Sequence, residues 1–210
     1  MNLDKYEQEF LKKSKPVEIS YHKTGIIDLP KGSIIELRGE SNSKILYLAL
    51  NMVKSIMDKG GVGLLVDADH SADISKFQGE KPIIMQPKNG QNVFDVLSEE
   101  SLLEGVDIVV IDSILNLLPL DEDYTAFDKN LSKLYKNVQK MNIVVIVLNP
   151  YISNKYNMLP LYSEIIIVAK KTKTLKKGWK NIGILGEGTI LKNRINLQCN
   201  KFTYMINYSH

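Results

Sequence analysis

A single cysteine, Cys199, allows no internal disulfide, and a chain that relies on none suits a reducing cytoplasm. Histidine is nearly as scarce, three in 210 residues. With no Cys/His cluster there is no zinc-site pattern, no metal centre is expected, and Cys199 reads as a small buried apolar residue. No apolar run approaches the ~20 residues of a membrane span. The longest, Ile143–Leu148 and Ile165–Ala169, have the length of strands, so no membrane partner is expected. The opening stretch, MNLDKYEQEFLKKSK, lacks the apolar core of a secretory signal, and the expected location is cytoplasmic. Net charge is also small, +3, too little by itself to imply a nucleic-acid partner.

What is present is an alternation. Hydrophobic residues make up 44% and charged residues 24%, ordinary for a globular chain with a substantial core. Apolar stretches at Ser33–Leu37, Gly63–Asp67, Pro82–Met85, Asp107–Ile111, Ile143–Leu148 and Glu164–Ala169 read as strands. Helical spacing at Ile45–Asp58, Val93–Glu104 and about Tyr124–Lys140 falls between them. Several strands are Val/Ile-rich without alternation, as expected when helices cover both faces of a sheet. The pattern predicts an α/β fold with a mostly parallel central sheet flanked by helices. From about residue 164 the character changes. Asn181–Leu185, Arg194–Cys199 and Thr203–Asn207 read as short strands separated by a Gly-Glu-Gly turn and polar turns, an antiparallel extension on one edge. Residues 1–16 form a separate N-terminal element. Leu3, Tyr6 and Phe10 lie on one side of a short helix that Pro16 ends, and 17–210 form the core.

The most informative stretch is Ile35-Glu-Leu-Arg-Gly-Glu-Ser-Asn-Ser-Lys-Ile45, where a strand meets a Gly, a polar loop, a Lys and a helix. That is the setting of a phosphate-binding loop, G-x-x-x-x-G-K-[ST]. The spacing from Gly39 to Lys44 is one residue short, Ser43 stands where the second Gly belongs, and Ile45 replaces the hydroxyl that would hold Mg²⁺. A shortened loop cannot offer the same cradle of backbone N–H groups. Lys44 can still meet a phosphate as a point charge, but a vestigial loop with a solvated Lys44 is the favoured reading. Carboxylates collect at other strand ends, in Asp67-Ala68-Asp69-His70 and in Asp112 after Val109-Val110-Ile111. In parallel α/β sheets ligands sit beyond such ends. Asp112 has the placement of a Mg²⁺-binding Walker B acid. The competing reading is that Asp69 and Asp112 cap strand ends, with His70 a structural polar residue.

Together these segments resemble the RecA-type recombinase core. Ile27-Asp28-Leu29-Pro30-Lys31-Gly32, followed by Ile34–Ser41, is similar to that family's entry into its P-loop. Asp67-Ala68-Asp69-His70 is similar to its aspartate-alanine-glutamate-histidine segment, Met85-Gln86-Pro87 to its next strand and turn, and Val106–Ser113 to its Walker B strand. The resemblance implies a RecA-like fold with ATP and Mg²⁺ as cofactors if the loop functions. The departures imply a degenerate Walker A motif and a pseudo-ATPase. Gly39, Ser43 and Lys44 would then be a vestigial cofactor site, Asp69 and Asp112 vestigial catalytic acids, and no cofactor is expected. The family's asparagine-glutamine pair corresponds to Asn149-Pro150, and its long DNA-binding loop to the short Tyr151–Leu161.

The expected role is an accessory or mediator factor in DNA recombination, repair or replication. It would act on a protein partner (a recombinase, a replication protein or a second copy) and on DNA. One alternative is a compact ATP-dependent recombinase of phage or plasmid type. Another is a regulatory protein-interaction module without DNA binding. Residues 170–181, KKTKTLKKGWKN, hold six lysines and no acid. Lys170, Lys171, Lys173, Lys176, Lys177 and Lys180 would grip nucleic-acid phosphates, with Trp179 stacking on a base. The bland alternative is a solvated hairpin. Residues 1–13 are expected to dock on a partner.

Overall fold

The computed structural model describes residues 19–40, 43–68, 70, 72–74, 80–88, 90–117, 124–150, 158–195 and 197–208. The N-terminal element predicted at 1–16, Asp69 and the stretch 151–157 lie outside the described residues.

A short hairpin, β1 (Tyr21–Lys23) with β2 (Asp28–Pro30), leads into the central sheet. The sheet strands are β3 (Ser33–Gly39), β4 (Gly63–Asp67), β5 (Ile83–Met85), β6 (Ile108–Asp112), β7 (Val144–Asn149), β8 (Ile165–Lys177), β9 (Lys180–Asn193) and β10 (Lys201–Asn207). Their spatial order is β10-β9-β8-β3-β7-β6-β4-β5. Pairs from β8 to β5 are parallel, whereas β8–β9 and β9–β10 are antiparallel. This is the predicted α/β sheet with an antiparallel edge.

Helix α1 (Ile45–Met57) turns Ile45, Leu48, Ala49, Met52, Val53 and Ile56 inward at spacings of three and four. It packs on one sheet face with Ile35, Leu37, Ile146, Leu148 and Ile167. The predicted helix over Val93–Glu104 is two pieces, α2 (Gly90–Val96) and α3 (Glu100–Leu103). Helix α4 (Tyr124–Met141) buries Phe127, Leu131, Leu134 and Val138 against the opposite face, with Ile34, Val145 and Val147. A final turn, α5 (Leu159–Tyr162), precedes β8. Alternating residues of β3 and β7 thus feed two cores, one on each face.

The C-terminal edge differs from the sequence reading in three ways. β8 does not stop at Ala169 but runs on through the lysines to Lys177. The Gly-Glu-Gly at 186–188 is not a turn but the middle of a 14-residue strand. Its glycines make room for aromatic rings of β10. A Cβ at Gly186 would strike the Tyr204 ring, and one at Gly188 the Phe202 ring. The segment Arg194–Cys199, expected as a strand, contains no strand among its described residues. The Asn193 side chain bridges it instead, its carbonyl accepting from the Leu197 N–H and its amide donating to Leu197 O, both at 3.0 Å.

Candidate functional site

The carboxyl ends of β3, β4 and β6 lie at one end of the sheet on the α1 side, with β7 between β3 and β6. Gly39 ends β3 and is buried. Ser43 is fully buried, and its N–H (2.9 Å) and its hydroxyl (2.5 Å) both donate to the Glu40 carbonyl. Lys44 follows in the left-handed region, φ 56°, half-buried, and its carbonyl accepts the first helical bond from Leu48 N at 3.1 Å. The space above Gly39 is taken by the Ser43 hydroxyl and the Ile45 side chain, which crowd it so closely that no Cβ would fit. From across the fold the Tyr204 hydroxyl donates to the Ser43 carbonyl at 2.9 Å. Tyr204 is 3% exposed, and burial pushes its phenol up to about 12.

Asp67 and Asp112 stand side by side in parallel register at the ends of β4 and β6. Asp67 is buried; the Gln86 amide donates to one of its oxygens at 2.9 Å and Ala72 N to the other at 3.3 Å. Asp112 is half-buried, and its carbonyl accepts from Ala68 N at 2.7 Å. His70 takes φ 55° with Nε2 3.0 Å from the Pro87 carbonyl. Of the predicted site residues, Gly39, Ser43, Lys44 and Asp112 are therefore at one end of the sheet. Among the described residues no three His, Cys, Asp or Glu side chains gather as metal ligands.

On the opposite face of the same end lies a cluster that the sequence did not announce. Glu36 is 1% exposed; Arg38 donates from Nε (2.7 Å) and Nη2 (2.9 Å) to its two oxygens, and Asn149 Nδ2 donates at 2.9 Å. The pair sits two residues apart on one strand, so both side chains leave the same face. Lys192, on β9, donates to Pro160 O; burial first and the nearby Arg194 second lower its ammonium, while Glu36 and Glu164 oppose them.

The lysine-rich segment is far from both clusters in character. β3 pairs with β8 only as far as Ala169, so Lys170–Lys177 has β9 on one side and, among the described residues, no paired strand on the other. Gly178, φ 61°, and Trp179 make a two-residue turn between the paired Lys177 and Lys180. All six lysines are exposed, and Trp179 is 104% exposed. None of the six forms an ion pair among the described residues. No helix among the described residues is long and apolar enough to cross a membrane.

Comparison with known proteins places this geometry. Residues 12–131, more than half of the chain, match the RecA N-terminal domain. The chain is 28% identical over 197 residues to Protein RecA of Synechocystis, covering 80% of this chain and 56% of that protein. It is 27% identical over 201 residues to Protein RecA of Wolinella succinogenes, covering 81% and 57%. It is 28% identical over 202 residues to Protein RecA of Ureaplasma parvum, covering 82% and 60%. The chain therefore spans less than two thirds of the length of these relatives. The order of P-loop-like turn, paired strand-end acids and antiparallel edge, together with the match over residues 12–131, makes this chain a member of the RecA family.

Proposed function

We propose that this protein is an accessory or mediator factor of DNA recombination, repair or replication that works through protein and DNA contacts and does not turn over ATP. The observation that supports the reading is the close packing at Gly39: the Ser43 hydroxyl and the Ile45 side chain crowd the position a Cβ would take there. A triphosphate needs a cradle of free backbone N–H groups. Here the Ser43 N–H is already spent on the Glu40 carbonyl, and Tyr204 pins the Ser43 carbonyl from β10. At position 45 an alkyl group stands where a Mg²⁺ ligand is required. The residues present do not fit Mg-ATP, and Lys44 is left without the cradle it would serve. The DNA-facing residues in this reading are Lys170, Lys171, Lys173, Lys176, Lys177, Trp179 and Lys180. The partner is a recombinase, a replication protein or a second copy, with residues 1–16 as the first docking element to test.

The side-by-side Asp67 and Asp112 favour a second reading, a compact ATP-dependent recombinase with an unusual loop. Nucleotide separates the two. A ligand held at a hundredfold excess over Kd adds about 2.7 kcal/mol to stability. The expected result is no Tm shift with millimolar Mg-ATP or Mg-ADP, and no phosphate release with or without single-stranded DNA. A saturable shift, or DNA-stimulated turnover abolished by Lys44→Ala or Asp112→Ala, refutes the proposal in favour of the enzyme.

A further inference from the structure

We propose that the amino end of the sheet carries a binding site for the phosphate group of a small phosphorylated molecule, formed by His22, Lys23, Lys31 and Lys59. The site is independent of the function proposed above and lies at the far end of the fold from the P-loop-like turn. Lys31 precedes β3, Lys59 precedes β4 and Asp107 precedes β6, whereas Gly39, Asp67 and Asp112 end those strands. The seven residues of β3 alone separate the two ends by roughly 20 Å at ~3.3 Å per residue.

Three separated stretches of chain build the site. His22 and Lys23 come from β1, Lys31 from the turn between β2 and β3, and Lys59 with Gly60 and Gly61 from just past the end of α1. With Ile56 and Asp107 they line a hollow of about 290 Å³, near the small end of the ~300–1,000 Å³ range of ligand pockets. Three lysines and one aspartate give the hollow two net positive charges with His22 neutral, and three with it protonated. Among the described residues none of these lysines is in an ion pair; Lys59 Nζ donates to the Lys23 carbonyl instead. Asp107 is engaged by the backbone, its Oδ2 accepting from Val62 N at 2.9 Å. Gly61 leaves the room for it, since a Cβ there would lie 2.9 Å from that oxygen.

Exposed lysines alone would not define a site, because water and salt screen them. The imidazole among them does. The His22 side chain is 12% exposed, and its Nε2 is shut off from solvent with no hydrogen-bond partner among the described residues. Buried polar atoms are nearly always paired, so an orphan of this kind marks a place where a ligand atom can be received. An oxyanion in the hollow would accept from Nε2–H while the lysines neutralise its charge. The simpler account makes Asp107 the partner of His22. Its Oδ1 is 3.7 Å from Nε2, however, too far for a hydrogen bond, and that account gives Lys31 and Lys59 no role. Burial first, then Lys31 and more weakly Lys59, hold the imidazole below 6.5, with Asp107 opposing them. A bound dianion tips this balance toward the imidazolium, so ligand and proton should bind together.

The chain has three histidines, so the imidazole Cε1–H signals of the full chain can be followed by NMR, with His22→Gln assigning one of them. The titration runs from about pH 5 to 8 in a phosphate-free buffer at constant ionic strength, with and without millimolar pyrophosphate. Sulfate, which does not titrate in that range, is the second probe, so that movement reports His22 and not the ligand. Expected are a saturable shift of the His22 signal and a rise of about one unit in its midpoint with either anion. By linkage, sulfate should bind about tenfold more tightly below that midpoint than above it. Lys31→Gln/Lys59→Gln should weaken pyrophosphate binding about tenfold. Lys54→Gln, on α1 but outside the hollow, should leave it unchanged. Asp107→Asn keeps an acceptor for Val62 N and removes a like charge, so it should tighten binding. A His22 signal that moves with neither anion overturns the site, and this reading of the parent stands even if a variant fails to fold. Binding undiminished in the double lysine variant, or weakened by Asp107→Asn with an unaltered amide spectrum, also overturns it. A larger His22 shift with a single-stranded oligonucleotide at equal phosphate concentration overturns the small-ligand assignment in favour of nucleic acid.

Discussion

Replacing Arg38 by Met should be among the more damaging single substitutions in the parallel part of the sheet. The Glu36 carboxylate is 1% exposed and is held by two bonds from the Arg38 guanidinium and one from Asn149. Removing one partner of a buried ion pair costs ~3–5 kcal/mol, mostly because the remaining charge is left desolvated. Two features argue for the lower end, about 3 kcal/mol by that scale: Asn149 still donates to Glu36, and Lys192 is near enough to feel its charge. Glu36→Gln should cost less, because Arg38, at 16% side-chain exposure, retains a route to water. The double variant Glu36→Gln/Arg38→Met removes both charges, and its loss should fall to within about 1 kcal/mol of the parent, since buried pairs are often replaced by neutral groups at little cost. Urea denaturation reads this directly. At an m-value of ~2 kcal/mol/M, Arg38→Met should lower the midpoint by about 1.5 M with m unchanged. A loss under ~1 kcal/mol for Arg38→Met, or a double variant as damaged as the single, would refute the claim that the pair is coupled through burial.

Two further predictions concern titration. The Tyr204 phenol is pushed up to about 12 by burial, against 10.0 for the free side chain. The unfolded chain therefore releases this proton first, so the contribution of Tyr204 is intact below pH 10 and is lost as pH rises from there toward 12. Tyr204→Phe should flatten that alkaline loss relative to the parent, and at neutral pH should cost ~0.5–1.5 kcal/mol for the bond to Ser43. Alkaline melting curves that superimpose for the two proteins would contradict it. His22 is shifted the other way: burial first, then Lys31, hold its imidazole below 6.5, with Asp107 at 3.7 Å opposing and Lys59 reinforcing. The unfolded state gains the proton first, so stability should fall as pH drops through that region. Tm between pH 7.5 and 5 should fall less in His22→Gln than in the parent, and an equal fall would place the acid sensitivity elsewhere.

What the sequence revealed and what it hid divide along a physical line. The strand ends Gly39, Asp67 and Asp112 could be placed because each follows an apolar run, and a parallel sheet brings such ends together whatever the loops do. The lysine segment was legible because charge and absence of acid are properties of composition. The Gly-Glu-Gly at 186–188 was misread because local chemistry says turn, while the residues that make it a strand, Tyr204 and Phe202, are supplied by another strand and fill the room the glycines leave. The Tyr204–Ser43 bond spans 161 residues and the Asn149–Glu36 bond 113, and no spacing rule reaches so far. These two contacts matter for the same reason that they were hidden. On the proposed reading, the loop's lost glycine and hydroxyl are compounded by contacts from elsewhere in the fold. The Ser43 hydroxyl and the Ile45 side chain crowd Gly39 locally, and the Tyr204 hydroxyl, reaching in from β10, donates to the Ser43 carbonyl. If those contacts close the nucleotide site, as proposed, restoring glycine at Ser43 alone should not restore a Tm shift with Mg-ATP while Ile45 and Tyr204 remain.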